Sequence, residues 1–93
     1  MADAALHLII GGRVQGVGYR AWVAEEAASR GLSGWVRNRR DGSVEALVAG
    51  DAGVVEEFLE RCRDGPRAAS VSSVTSESYD GPLPRGFTVR PTA

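Results

Sequence analysis

Leu6-His7-Leu8-Ile9-Ile10-Gly11-Gly12-Arg13-Val14-Gln15-Gly16-Val17-Gly18-Tyr19-Arg20 is the stretch whose reading decides the fold. Leu6 to Val14 begins as a nearly continuous apolar run, the pattern of a strand at the centre of a sheet. From about Tyr19 to Ser29 the periodicity becomes helical: Val23, Ala24, Ala27 and Ala28 share one face, and Glu25, Glu26, Ser29 and Arg30 the other. Trp22 falls on the polar side, as a partly exposed aromatic over its neighbours. The glycines therefore form a turn from a strand into a helix. Helix N-termini leave backbone N–H groups unpaired, and the helix dipole favours negative charge there. Successive N–H groups in a glycine-permitted turn can curl around one anion. Arg20 adds a planar guanidinium able to grip two phosphate oxygens. A tight turn without a ligand accounts for the glycines but leaves the arginine at its mouth unexplained.

Two phosphate motifs can be compared with this stretch. The pattern G-x-x-x-x-G-K-[ST] needs a lysine, and the chain has none. Gly16-Val17-Gly18-Tyr19-Arg20-Ala21 fits the dinucleotide fingerprint G-x-G-x-x-A, but the acidic residue expected about 20 positions on could only be Asp41, in a turn. A chain of 93 residues also lacks room for a doubly wound dinucleotide fold. The third reading is a single phosphoryl group held by the loop and Arg20.

Working outward, Gly31 ends the first helix. Leu32 to Arg39 reads as a strand, with Val36 and Asn38 on one face and Trp35, Arg37 and Arg39 on the other. Arg40-Asp41-Gly42 is a hairpin turn leading to a third strand, Ser43 to Ala49, whose Val44, Ala46 and Val48 share a face. Asp51 is a natural N-cap for a second helix carrying Val54, Val55, Phe58, Leu59 and Cys62 in one stripe. That stripe makes Cys62 a core filler and not a nucleophile. Ser70 to Tyr79 reads as a fourth strand whose poor alternation leaves its register open, and Phe87 to Arg90 as a short last one. The order is βαββαβ plus a short fifth strand. It implies an α+β, ferredoxin-like two-layer sandwich with both helices on one face of an antiparallel sheet, a single domain over residues 1–93.

Composition narrows the function classes. The net charge is −1 and the pI about 5.8, which argues against a general nucleic-acid binder. The third strand, Val44 to Ala49, also lacks the stacked aromatics and basic residues of an RNA-binding ferredoxin-like platform. One cysteine excludes an internal disulfide, and the lone histidine, His7, has no ligand-spaced partners, so a partly exposed strand residue is expected there and no metal site. The apolar run after Met1 to Ala5 is too short for a signal peptide or membrane span, so a cytoplasmic location with no membrane partner is expected.

The topology brings two further residues to the loop. Strands one and two, joined through a helix, run parallel by a right-handed crossover. Their C-terminal ends share one edge of the sheet. Asn38, on the helix side with Val36, then falls near the glycine loop and Arg20. It is the only asparagine, and Gln15, in the loop itself, the only glutamine. A hairpin start also favours asparagine, but the convergence points to chemistry. An arginine and amides can hold a phosphoryl group. A neutral amide is neither a strong base nor a nucleophile, yet it can orient water. Positioning and electrostatics are the usual means of catalysing phosphoryl transfer.

Gly12-Arg13-Val14-Gln15-Gly16-Val17-Gly18-Tyr19-Arg20 and Gly34-Trp35-Val36-Arg37-Asn38-Arg39-Arg40-Asp41-Gly42-Ser43-Val44-Glu45 resemble the two signature motifs of the acylphosphatases, and the similarity extends to the closing Phe87-Thr88-Val89-Arg90. The resemblance implies an enzyme that hydrolyses carboxyl-phosphate bonds, with acetyl phosphate, benzoyl phosphate and 1,3-bisphosphoglycerate as typical substrates. It maps the phosphate-binding loop onto Gln15, Gly16, Val17, Gly18, Tyr19 and Arg20, the substrate-binding arginine onto Arg20, and the water-orienting asparagine onto Asn38. It implies no metal and no cofactor, with the substrate's own phosphate as base. Inorganic phosphate, the product, is expected to compete for the same loop, and the chain is expected to act as a monomer. The alternative is an acyl- or carbamoyl-phosphate binding module of a larger maturation-type system, which turnover would distinguish. The physiological acyl group is not legible.

Overall fold

The computed structural model describes residues 3–93. Its elements are β1 (Asp3–Arg13), α1 (Tyr19–Ser29), β2 (Ser33–Asn38), β3 (Val44–Asp51), α2 (Ala52–Asp64), β4 (Ser70–Ser78) and β5 (Phe87–Val89). The sheet order is β4-β1-β3-β2-β5. β3 runs antiparallel to both β1 and β2, so β1 and β2 are parallel to each other and end at the same edge. β4 adds antiparallel to β1, and β5 adds parallel to β2. The sheet is thus mixed: every pairing among its four longer strands is antiparallel, as expected, and the pairing of the short fifth with β2 is parallel. Leu8, Ile10, Val36, Val44, Ala46 and Val48 meet Tyr19, Val23 and Ala27 of α1 and Val55, Phe58 and Cys62 of α2 in one buried cluster. Two helices on one side of the sheet make the ferredoxin-like arrangement.

β1 starts at Asp3 and β3 runs on to Asp51, because Ala4 and Ala5 pair with Gly50 and Ala49; small side chains give no alternation to read. Asp51 also caps α2, its carboxylate accepting from Val54 N at 3.2 Å. In α1 the expected face needs rotating. Tyr19, at 1% exposure, sets it, with Val23 and Ala27 following at four-residue steps, while Ala28 is exposed. Glu26 and Arg30, expected on the solvent face, are half-buried and paired at 2.9 Å, with Arg61 of α2 joining Glu26 at 3.4 Å. Trp22 is half-buried, its ring 5.5 Å from that of Tyr19. Cys62 is fully buried, and burial pushes its thiol up to about 12, as befits a core filler.

The register of β4 shifts between Gly11 and Gly12. Val74 faces Ile10, Ser73 faces Gly11, and Val71 faces Gly12. Ser72 is the extra residue, a bulge that lets Val71 and Val74, three apart, both turn to the core.

The face away from the helices holds a buried carboxylate that ties the central strands. Glu45 of β3 accepts from Arg37 Nε of β2 and pairs with His7 Nε2 of β1, each at 2.6 Å. His7 is therefore a half-buried strand residue with an acidic partner. Burial pushes the Glu45 carboxyl up, but the bonds and charges of Arg37 and His7 together outweigh it and leave the group below its ordinary range. A depressed folded-state value contributes stability above the unfolded pKa, ~4.3, and loses it as pH falls through the folded value. Glu45→Gln is expected to lower stability at neutral pH by about 1.5–3 kcal/mol. The gap in melting temperature from wild type should close as the solution is made more acid than ~4. A gap that stays constant down to strong acid would assign the loss to packing.

Candidate active site

The shared edge where β1 and β2 end carries a cleft of about 330 Å³ lined by Val14, Gly16, Gly18, Tyr19, Arg20, Ala21 and Asn38. One wall is the loop from β1 into α1; the other is the last residue of β2. Arg20 is the only charged residue among them. None of the lining residues is Asp, Glu, His, Cys or Ser.

The loop wall is shaped by two left-handed glycines, Gly16 at φ 73° and Gly18 at φ 79°. A Cβ on either would meet nothing within 4 Å, so the demand is on backbone conformation and not on space. Gly18 is the N-cap of α1, and no side chain caps the helix there. The first helical bond runs from Trp22 N to Gly18 O at 2.9 Å. The N–H groups of Tyr19, Arg20 and Ala21 precede it and have no intrahelical acceptor. No acidic residue occupies the first turn, so the positive end of the dipole is uncompensated. Together with Arg20 this gives the cleft a positive bias that favours an anion.

Arg20 is half-buried and its Nη1 donates to the carbonyl of Arg90 at 3.2 Å. That contact comes from a segment the sequence did not tie to the site. Past β5, residues 90–93 continue along β2: Arg90 N donates to Val36 O at 2.8 Å, Ala93 N to Asn38 O at 3.0 Å, and Arg40 N to Ala93 O at 2.8 Å. The Phe-x-Val-Arg ending signals a strand, but nothing in it names β2 as the partner. Asn38 Oδ1 is buried without a hydrogen-bond partner. A buried polar atom left unpaired calls for a reason. Asn38 lines the cleft, and the torsion that sets its amide is broad and soft.

The remaining loop residues divide. Tyr19 lines the cleft through its backbone end, since its ring is buried and its Oη donates to Cys62 O at 2.7 Å; burial raises the phenol well above its usual value. The Val17 side chain packs on the core. The Gln15 side chain turns away, its Nε2 donating to Arg39 O at 2.6 Å and Ser43 O at 2.8 Å. Gln15, Val17 and Tyr19 therefore have backbone N–H groups, not side chains, to offer an anion.

A larger cavity, about 530 Å³, opens at the opposite end of β1, between the start of that strand, Ser33, Gly50 and the Tyr79–Leu83 loop. Its charged lining residues are Asp3 and Asp80, the wrong sign for a phosphoryl group. Among the described residues no group of three or more His, Cys, Asp and Glu side chains is placed to hold a metal ion, and no helix is long and apolar enough to cross a membrane.

With this geometry in view, comparison with known proteins is specific. The acylphosphatase family model matches residues 6–89. An acylphosphatase of Azorhizobium caulinodans is 54% identical over 88 residues, covering 94% of this chain and 95% of that protein. The structure of an acylphosphatase from Coxiella burnetii superposes with a TM-score of 0.90 at 33% identity, covering 95% of this chain and 93% of the other. That of the acylphosphatase from Bacillus subtilis gives 0.88 at 34% identity, covering 92% and 97%.

Proposed function

The chain belongs to the acylphosphatase family, enzymes that hydrolyse acyl phosphates, and from that premise we propose that Arg20 and the loop amides bind the phosphoryl group while Asn38 orients the attacking water. The observation that carries this reading is convergence. Arg20, the uncapped N-terminus of α1 and Asn38, whose amide oxygen is unpaired, line one cleft with no lining carboxylate.

The proposed substrates are acetyl phosphate, benzoyl phosphate and 1,3-bisphosphoglycerate. The phosphoryl oxygens lie against the backbone N–H groups from Gln15 to Arg20 and the fork of Arg20. Asn38 Oδ1 accepts a hydrogen bond from water and aims its lone pair at phosphorus, opposite the acyl oxygen. As the new P–O bond forms, the bond from phosphorus to the acyl oxygen breaks and the carboxylate leaves with the electron pair. The water proton passes to an oxygen of the phosphoryl group itself, which needs no protein base. Charge developing on the equatorial oxygens meets donors already in place. Carboxylic acids ionise near pH ~4, so the carboxylate departs without a general acid; an alkoxide or phenolate would need help that the cleft lacks.

A hydrolysis panel tests this. Acetyl and benzoyl phosphate should turn over far faster than p-nitrophenyl phosphate or ATP. Inorganic phosphate should inhibit competitively, and a chelator should leave the rate unchanged. Equal rates on acyl phosphates and p-nitrophenyl phosphate would overturn the bond specificity; loss with chelator and recovery with Mg²⁺ or Zn²⁺ would overturn the metal-free chemistry. Tight phosphate binding without turnover would favour the binding-module alternative.

A further inference from the structure

Gln15 sits in the phosphate loop, yet its amide faces the β2–β3 hairpin. Both acceptors there are main-chain carbonyls, Arg39 O at 2.6 Å and Ser43 O at 2.8 Å. They lie across the turn from each other, and Arg39 N donates to Ser43 O at 2.9 Å. One NH₂ group, with two donors, thus joins the loop to both strands of the hairpin at once. Arg39 directly follows Asn38, and Gln15 directly precedes Gly16. The tie lies one residue outside each wall of the cleft. Beyond it the hairpin tip, Arg40, Asp41 and Gly42, is exposed.

We infer that the Gln15 side chain is a positioning group: it fixes the distance between the phosphoryl cradle and Asn38, and its amide does not itself ligate the phosphoryl group. This rests on the reading of Asn38 as the water-orienting group. The two halves of the site belong to different elements, the β1–α1 loop and the end of β2, and in-line attack depends on their separation. A displacement of about 1 Å can lower a rate on the order of a hundredfold. Ground-state phosphate binding uses only the cradle and should not respond.

The test is Gln15→Met, which keeps the reach and removes both donors. With acetyl phosphate, kcat should fall on the order of tenfold to a hundredfold, while the inhibition constant of inorganic phosphate stays near wild type. In an Asn38→Ala background the same change should cost little more, because the group it positions is gone. Three results would each overturn the inference: an unchanged kcat, a matching loss of phosphate affinity (a direct ligand), or losses that multiply fully in the double variant. If circular dichroism shows Gln15→Met unfolded, Gln15→Lys takes its place. Its ammonium can donate to both carbonyls, so kcat near wild type supports the tie and kcat as low as that of Asn38→Ala overturns it. Retained activity in Asn38→Ala alone would sink the Asn38 reading and this inference together. An inactive Asn38→Ala beside an unaffected Gln15→Met sinks only this one.

Discussion

Asn38→Ala is expected to lower turnover of acetyl phosphate by roughly a hundred- to a thousandfold, ~3–4 kcal/mol of transition-state stabilisation, while inorganic phosphate binds nearly as tightly as to wild type. The two halves of that expectation have separate causes. In the proposed reading, phosphate in the ground state uses the loop N–H groups and Arg20, which the substitution leaves in place, and Asn38 holds only the water. The attacking water needs an acceptor on the far side of phosphorus. Among the cleft-lining residues only Tyr19, Arg20 and Asn38 carry polar side-chain groups; the Tyr19 hydroxyl is committed to Cys62 O, and a guanidinium has no acceptor. Without the amide the water samples many orientations, and the preorganisation is lost. The fold should persist. Asn38 is tied to its neighbours through its backbone, to Val44 of β3 and to Ala93 N, and its Oδ1 has no hydrogen bond to lose. Turnover, phosphate titration and circular dichroism on the one variant separate the possibilities. Retained turnover removes the water-orienting role. Unfolding would instead assign Asn38 to the hairpin start.

Much of this site could be read in the sequence because it rests on local rules. A glycine-rich turn between an apolar run and a helical period gives the cradle, and a crossover of fixed hand puts Asn38 beside it. What could not be read is set by partners distant in the chain. Gln15 lies in the loop, but its amide reaches carbonyls 24 and 28 residues away. Arg90 is 70 residues from Arg20, and its contribution is a carbonyl, which every residue carries. The β4 register was hidden because the bulge at Ser72 breaks the period of two on which strand reading depends. The exact face of α1 is not legible because alanines at consecutive positions weight the pattern little: Val23 and Ala27 are buried as expected, but the burial of Tyr19 turns the helix so that Ala28 is exposed. Glu45 reads as a solvent-face residue by parity; only the convergence of His7 and Arg37 from two other strands makes its burial tolerable.

Arg20→Lys is the substitution expected to separate charge from geometry. It keeps the positive charge, so a purely electrostatic role would leave most of the binding intact. The structure argues for more. Arg20 lines the cleft and its Nη1 already donates to Arg90 O, a bond that anchors the planar group and does not use its other donors. An ammonium is a compact point charge with no such plane. It can hold the carbonyl or reach the phosphoryl oxygens, but not through a bidentate fork. Losing a hydrogen bond to a charged group costs about 1.5–3 kcal/mol, so phosphate affinity should fall by roughly ten- to more than a hundredfold. Turnover should fall at least as far, because charge on the equatorial oxygens is greatest in the transition state. The signature therefore differs from that of Asn38→Ala: binding and turnover decline together. The same phosphate titration and rate measurements decide it, with circular dichroism to confirm the fold. Arg20→Lys that binds phosphate as tightly as wild type would show that the fork is not what grips the phosphoryl group, and the helix N-terminus would then be left as its principal holder.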